Sequence, residues 1–128
     1  MEFEEYYRCY VVGQENVHIM KYDPRAPHHE RYVKGNPAPS TSALKERIEK
    51  DALALCRALG YDLNTVEFAV EGGVPYAIDF LNPAPDAELQ SVGKKNFDWI
   101  VDAVAEYAVE EALKEPKQVT MRWESFLS

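Results

Sequence analysis

Cysteine is scarce: Cys9 and Cys56 are the only two in 128 residues, and they lie far apart with no metal-ligand or redox spacing. That excludes a disulfide framework and leaves two reduced, buried thiols as the expectation. Long hydrophobic runs are missing too. The apolar stretches are strand-sized, so none is expected to span a bilayer. Positive charge is in deficit, with 14 Lys and Arg against 22 Asp and Glu, a net charge of −8. Such a surface repels phosphate backbones and argues against a nucleic-acid partner. It leaves a nucleotide site open, because Mg2+ can sit between carboxylates and phosphates. The acidic opening Met1-Glu2-Phe3-Glu4-Glu5 is unlike a secretory or transit leader, so a cytoplasmic protein is expected. There is no P-loop: Gly72-Gly73 is not followed by Lys-Ser or Lys-Thr, and it reads as a hairpin turn.

What is present reads as one small α+β domain. Tyr6 to Val12 and Val17 to Tyr22 are rich in aromatic and β-branched residues and flank Gly13-Gln14-Glu15-Asn16, which predicts a hairpin. Asp23-Pro24 ends it. Arg25 to Ser42 reads as a long loop holding His28 and His29, and loops of that length are commonly functional or mobile. Leu44, Ile48, Ala52, Leu55 and Leu59 recur at helical spacing, Ser40, Thr41 or Ser42 can cap the helix, and Gly60 can close it. Val66 to Val70 and Val74 to Leu81 form a second hairpin around Gly72-Gly73. A last helix runs from a capping Asn96 to Lys114 and stops at Pro116. The order β-β, helix, β-β, helix predicts an antiparallel sheet of two hairpins with the helices packed on one face. Residues 1–116 form the domain, and 117–128 read as a tail that is either a short strand or a docked arm.

Two carboxylates stand out. Glu67 and Asp79 each sit among apolar residues on strands predicted to pair. A buried carboxylate costs several kcal/mol unless paired or metal-bound, on the order of magnitude seen for isolated buried ions. Two on neighbouring strands repel, a divalent cation removes that repulsion, and Asn82 offers a neutral oxygen beside them. The alternative is a solvated face on each strand, with both acids as ordinary surface residues. Among the other polar residues, Tyr61 and Asn64 read as turn-setting, and His18, His28 and His29 have no metal-ligand spacing.

Arg8-Cys9-Tyr10-Val11-Val12-Gly13, Gly60-Tyr61-Asp62, Val66-Glu67-Phe68 and Asp79-Phe80-Leu81-Asn82-Pro83 resemble, in order and spacing, the landmarks of ATP-grasp enzymes. That superfamily includes glutathione synthetase, D-alanine–D-alanine ligase and peptide-type carboxylate–amine ligases. The resemblance covers Tyr6 to Leu113. It implies ATP and Mg2+ as cofactors, with Mn2+ an acceptable substitute. It implies that Glu67, Asp79 and Asn82 hold the metal and that Arg8 contacts phosphate during transfer, with Lys21 a second cation for the nucleotide. The sequence departs from the family pattern in its Asp-x-x-Asn spacing, where the family has acid-x-Asn. A β-bulge would restore the geometry.

The resemblance further implies the C-terminal subdomain of an ADP-forming carboxylate–amine or carboxylate–thiol ligase. The phosphate-binding lysines and the adenine-reading hinge would belong to a missing N-terminal subdomain, which is the expected partner. The isolated chain is expected to be inactive and to self-associate as a homo-oligomer through the face left open. A non-catalytic α+β interaction module is the alternative. The two readings differ on one point of geometry: a metal site requires Glu67 and Asp79 on the same face of the sheet.

Overall fold

In a computed structural model the chain is described over residues 2–116. Strands β1 (Glu5–Val12) and β2 (Asn16–Lys21) form the first hairpin, followed by a 3-10 turn at His28–Glu30 and helix α1 (Ser42–Leu59). Strands β3 (Leu63–Glu71) and β4 (Val74–Asn82) form the second hairpin, followed by a short helix α2 (Leu89–Val92) and helix α3 (Lys94–Leu113). The four strands make one sheet in the order β2-β1-β3-β4, antiparallel throughout. The expected α+β class and both hairpins are therefore present. The turn at Gly72-Gly73 has φ of 57° and 76°, the positive pair that a two-residue hairpin of matching twist requires. At Gly13 a close approach adds to the positive φ, since an added Cβ would lie 2.7 Å from the Tyr107 ring. The proposed tail at 117–128 lies outside the described residues.

The placement of the helices differs from the expectation of one covered face. Alternate residues of the central strands feed two separate cores. Tyr7, Cys9 and Val11 join Val66, Phe68 and Val70 under Leu44, Ile48, Ala52 and Cys56 of α1. Tyr10, Val12 and Met20 instead join Val92 and Ile100, with Phe97, Trp99 and Tyr107 packed alongside. The two helices thus lie on opposite faces. The physical reason is the composition of β1, where Cys9-Tyr10-Val11-Val12 is apolar at every position, so both of its faces need a cover. Helix α3 lies over β1 and β2 and makes no close approach to β3 or β4. The β3–β4 half of that face holds the candidate site.

Local signals decide the helix ends. Thr41 caps α1, its hydroxyl accepting the Leu44 N–H at 3.1 Å, and Gly60 closes it with φ 75°. Asn96 does not cap α3. It lies in the first turn, 4% exposed, where its Nδ2 donates to the Val92 carbonyl at 2.8 Å and its Oδ1 meets His18 Nε2 at 2.7 Å. His18 also stacks on Trp99, so this histidine ties β2 to α3. Burial pushes its pKa below the ordinary imidazole range.

Candidate functional site

The candidate site is built from a cross-strand row. Arg8 on β1 lies directly opposite Glu67 on β3, and Glu67 lies directly opposite Asp79 on β4. Two pairs further along, Tyr10 faces Thr65, and Thr65 faces Asn82. Residues directly opposite one another share a face. Arg8, Glu67, Asp79, Thr65 and Asn82 therefore stand together, as the metal-site reading requires.

The hairpin register alone would not produce this. From the Gly72-Gly73 turn the pairs run Glu71 with Val74, Val70 with Pro75, Ala69 with Tyr76 and Phe68 with Ala77. Continued without interruption, that ladder would set Ile78 opposite Glu67 and leave Asp79 on the α1 face. Instead the register shifts between Phe68 and Glu67 and again between Glu67 and Thr65. Each shift places one additional residue on β4. The first brings Asp79 opposite Glu67, and the second brings Asn82 opposite Thr65. The Asp-x-x-Asn spacing is thereby folded onto one face by a bulge.

Arg8 is held on several sides. Its Nη1 donates to the Tyr32 hydroxyl at 2.7 Å and its Nη2 to Thr65 Oγ1 at 3.4 Å. The guanidinium also sits over the Tyr22 ring, 5.9 Å from its centroid. Its Nε is 3.4 Å from Glu67 Oε1, yet this buried N–H makes no hydrogen bond. The contact is thus one of charge without an aligned proton, and it leaves the Glu67 oxygens unclaimed by a strong donor. Burial works against the charge on Arg8, but Tyr32 and Glu67 more than offset it, and its pKa stands above the ordinary value.

Burial pushes the Glu67 carboxyl above the ordinary glutamate range; Arg8 opposes the shift, Asp79 adds to it, and Arg31 opposes it. The folded chain thus holds the Glu67 proton more tightly than the unfolded chain does. The stability tied to this group is complete below the unfolded glutamate value of about 4.3 and is lost as pH rises through the higher folded value. Glu67→Gln is expected to melt at a higher temperature than the wild type at neutral pH without metal. The gap should close as pH falls towards about 4. A pH series of thermal melts checks this, and a variant that melts lower at neutral pH would contradict it.

Other predicted residues fall elsewhere. Lys21 is not brought to this face. It pairs with Tyr7, whose ring belongs to the α1 core, and its Nζ lies 3.2 Å from both Glu5 Oε1 and the Tyr7 hydroxyl. Strand alternation decides this, because Arg8 and Lys21 sit on adjacent pairs and so on opposite faces. His28 and His29 are exposed in the 3-10 turn, and His29 has Glu30 as its ion-pair neighbour at 3.6 Å. Both cysteines are buried and free, with thiol pKa values pushed up by burial, as inert structural thiols should be.

Sequence reasoning missed Tyr32 and Arg31. They reach the site because the long loop is strapped back onto β2. Tyr22 and Tyr32 form an isolated antiparallel bridge, the Asp23 N–H donates to the Arg31 carbonyl at 2.7 Å, and the Val33 N–H donates to the Lys21 carbonyl at 3.1 Å. Asn36 secures the same loop by donating to the Ile19 carbonyl and accepting from the Lys21 N–H. The loop has no periodicity, and no local pattern could have disclosed these contacts.

Among the described residues no cluster of three or more His, Cys, Asp or Glu could hold a metal. The donor set on offer is two carboxylates and one amide. That set suits Mg2+, which takes one or two carboxylates and completes its shell with phosphate oxygens and water. It does not suit a metal caged by protein alone. A cavity of about 320 Å3 lies away from the carboxylates, between residues 29–36 and α2–α3, and includes Lys34, Lys94 and Lys95 in its lining. Of the two carboxylates Asp79 is exposed and Glu67 half-buried.

Solved structures share this arrangement of strands and helices. The chain is similar to the D-alanine–D-alanine ligase of Bacillus anthracis complexed with ATP, with a TM-score of 0.63 and 21% identity over 87% of this chain and 40% of that one. A second structure of the Bacillus anthracis ligase aligns with a TM-score of 0.60 and 19% identity, over 87% of this chain and 41% of that one. The fold is that of a subdomain of ATP-grasp ligases. At these identities the likeness is one of fold, and the chain spans about two fifths of the length of those ligases. No protein-family model and no curated protein sequence matches it. Among the described residues no helix is long and apolar enough to cross a membrane.

Proposed function

We propose that the chain supplies the Mg-phosphate half of the ATP site of an ADP-forming carboxylate–amine or carboxylate–thiol ligase. The observation that carries this reading is the row Arg8, Glu67, Asp79 with Asn82 beside it, folded onto one face by two register shifts. In the whole enzyme the terminal phosphoryl group of ATP passes to a substrate carboxylate, and an amine or thiol displaces it. When bound, Mg2+ would supply charge neutralisation at the phosphates. Glu67 and Asp79 would hold it as carboxylate ligands, with Asn82 as a neutral one. Arg8 would bind a phosphate oxygen and offset the charge that builds during transfer. Tyr32 and Thr65 would keep the guanidinium in place. No side chain need act as a nucleophile, since such catalysis is mainly positioning and electrostatics.

Titrating the chain with Mn2+ and ATP together, read by calorimetry, tests this. Binding is expected in the wild type, and Asp79→Asn should weaken it about 10-fold or more. Equal binding by Asp79→Asn, Glu67→Gln and the wild type would remove the assignment.

The complementary N-terminal subdomain would cover this face. Without it, Val74, Tyr76, Ile78 and Leu81 of β4 are each more than two fifths exposed on a sheet edge that is unpaired among the described residues. Edges of that kind pair with other chains, so the isolated chain is expected to self-associate. Light scattering that returns a monomer mass at high concentration would refute this.

A further inference from the structure

The extra residues in β4 raise a question of register. A strand with two additional residues can slide back to the unbroken ladder, and a one-residue slip carries side chains to the other face. Here the slip would return Ile78 to Glu67 and Phe80 to Thr65. It would also pull Asp79 and Asn82 out of the row. Something must hold the shifted register, and it must also satisfy the backbone groups that a bulge takes out of the ladder.

One buried side chain does both. Asn64 is fully buried, on the α1 side of β3, where it lies opposite Val11. Its Nδ2 donates to the Phe80 carbonyl at 2.9 Å and its Oδ1 accepts the Asn82 N–H at 2.9 Å. The remaining contact of Nδ2 is with Cys56 Sγ at 3.6 Å. The two backbone groups flank Leu81, which is 60% exposed. A carboxamide carries the same donor and acceptor as a peptide group, so Asn64 stands in for a missing rung of the ladder. It grips β4 from behind, one residue on each side of the bulge. Aspartate or leucine would each fail at one or both of these contacts, since neither has the paired donor and acceptor.

We propose that Asn64 is a positioning residue for the metal site: by clamping the Phe80–Asn82 backbone it sets the bulge that places Asn82 in one row with Glu67 and Asp79. This rests on the reading of those three residues as metal ligands. Asn64 itself touches no ligand, and it acts through β4.

The test uses the 15N-labelled chain and Mn2+ alone as a paramagnetic probe. In the wild type, Mn2+ is expected to broaden the amide signals of Glu67 and Asp79 and the side-chain amide of Asn82 together. In Asn64→Ala, affinity should fall about 10-fold or more, as for residues that orient metal ligands. The Asn82 side-chain signal should leave the group that broadens first. Signals from α3 and from the part of α1 remote from Cys56 should keep their wild-type shifts, which a general loss of structure would not allow. Broadening of Asn82 at the wild-type Mn2+ concentration in a folded Asn64→Ala would overturn the inference while leaving the metal reading intact. Absence of selective broadening at Glu67 and Asp79 in the wild type would overturn both. Should Asn64→Ala fail to fold, Asn64→Thr keeps a strand-compatible side chain but spans only one of the two contacts. It is expected to weaken Mn2+ binding at Asn82, and unchanged broadening there would equally overturn the inference.

Discussion

Arg8→Met is expected to destabilise the chain by about 3 kcal/mol, the low end for removing one partner of a buried ion pair. The low end applies because Arg8 and Glu67 retain 12% and 19% side-chain exposure. Methionine has nearly the length of arginine, so little of the loss should come from packing. The loss comes from what the guanidinium leaves behind. Glu67, already pushed up by burial and by the nearby Asp79, would have Arg31 as the remaining cation acting on it. The Tyr32 hydroxyl and Thr65 Oγ1 would lose their donor as well. Urea unfolding measures the loss. A double-mutant cycle with Glu67→Gln then isolates the pair, because Arg8→Met in the Glu67→Gln background should cost distinctly less than in the wild type. Equal costs in the two backgrounds would show that Arg8 stabilises through packing and not through this charge. If the proposed function holds, the same substitution in the whole enzyme should slow phosphoryl transfer about 100-fold or more, as for other preorganised donors to developing charge.

Phe68→Ala is expected to cost about 3–5 kcal/mol, the range for truncating a buried phenylalanine. Phe68 is 1% exposed in the α1 core, between Val66 and Val70 on the same strand face. The consequence reaches the other face. Phe68 with Ala77 is the last pair in the hairpin's own register, and the first shift follows it at once. A cavity there removes the backing of β3 just behind Glu67. Small domains are stable by only about 5–15 kcal/mol, so this single change uses a large share. It should also weaken any Mn2+-nucleotide binding, through the loosened register, beyond what partial unfolding explains. Urea unfolding gives the first quantity, and titration under conditions where the variant is fully folded gives the second. A loss below about 1 kcal/mol would mean that the core relaxes to fill the space.

Much was legible in the sequence because it depends on neighbours along the chain. Both hairpins follow from their turn residues and from runs of β-branched and aromatic residues. Helix α1 follows from the spacing of Leu44, Ile48 and Ala52, from a threonine cap and from a glycine that takes positive φ. The two acids stand out as charged residues within apolar strands, whereas Arg8 is marked only by the family resemblance. Local pattern misled where tertiary contact outweighed it. Asn96 has a cap's composition, but its side chain serves His18 and Val92 inside α3. Lys21 is a cation near the end of the right hairpin, but alternation sends it to the other face. Leu59 continues the α1 stripe in sequence yet is 36% exposed, because Cys56 completes the buried row.

The relation between Glu67 and Asp79 belongs to both levels. Taken by itself, the sequence determined that each acid lies on a strand of one hairpin and that Asn82 follows closely. Read with the register of that hairpin, it would have put the acids on opposite faces. The tertiary structure decided that they share one. It did so because β4 carries two residues more than its partner can match, and because a buried amide from β3 satisfies the backbone around the second of these. The face that carries the site was likewise a matter of packing. Residues 9–12 of β1 call for cover on both faces, and α3 is placed over β1 and β2.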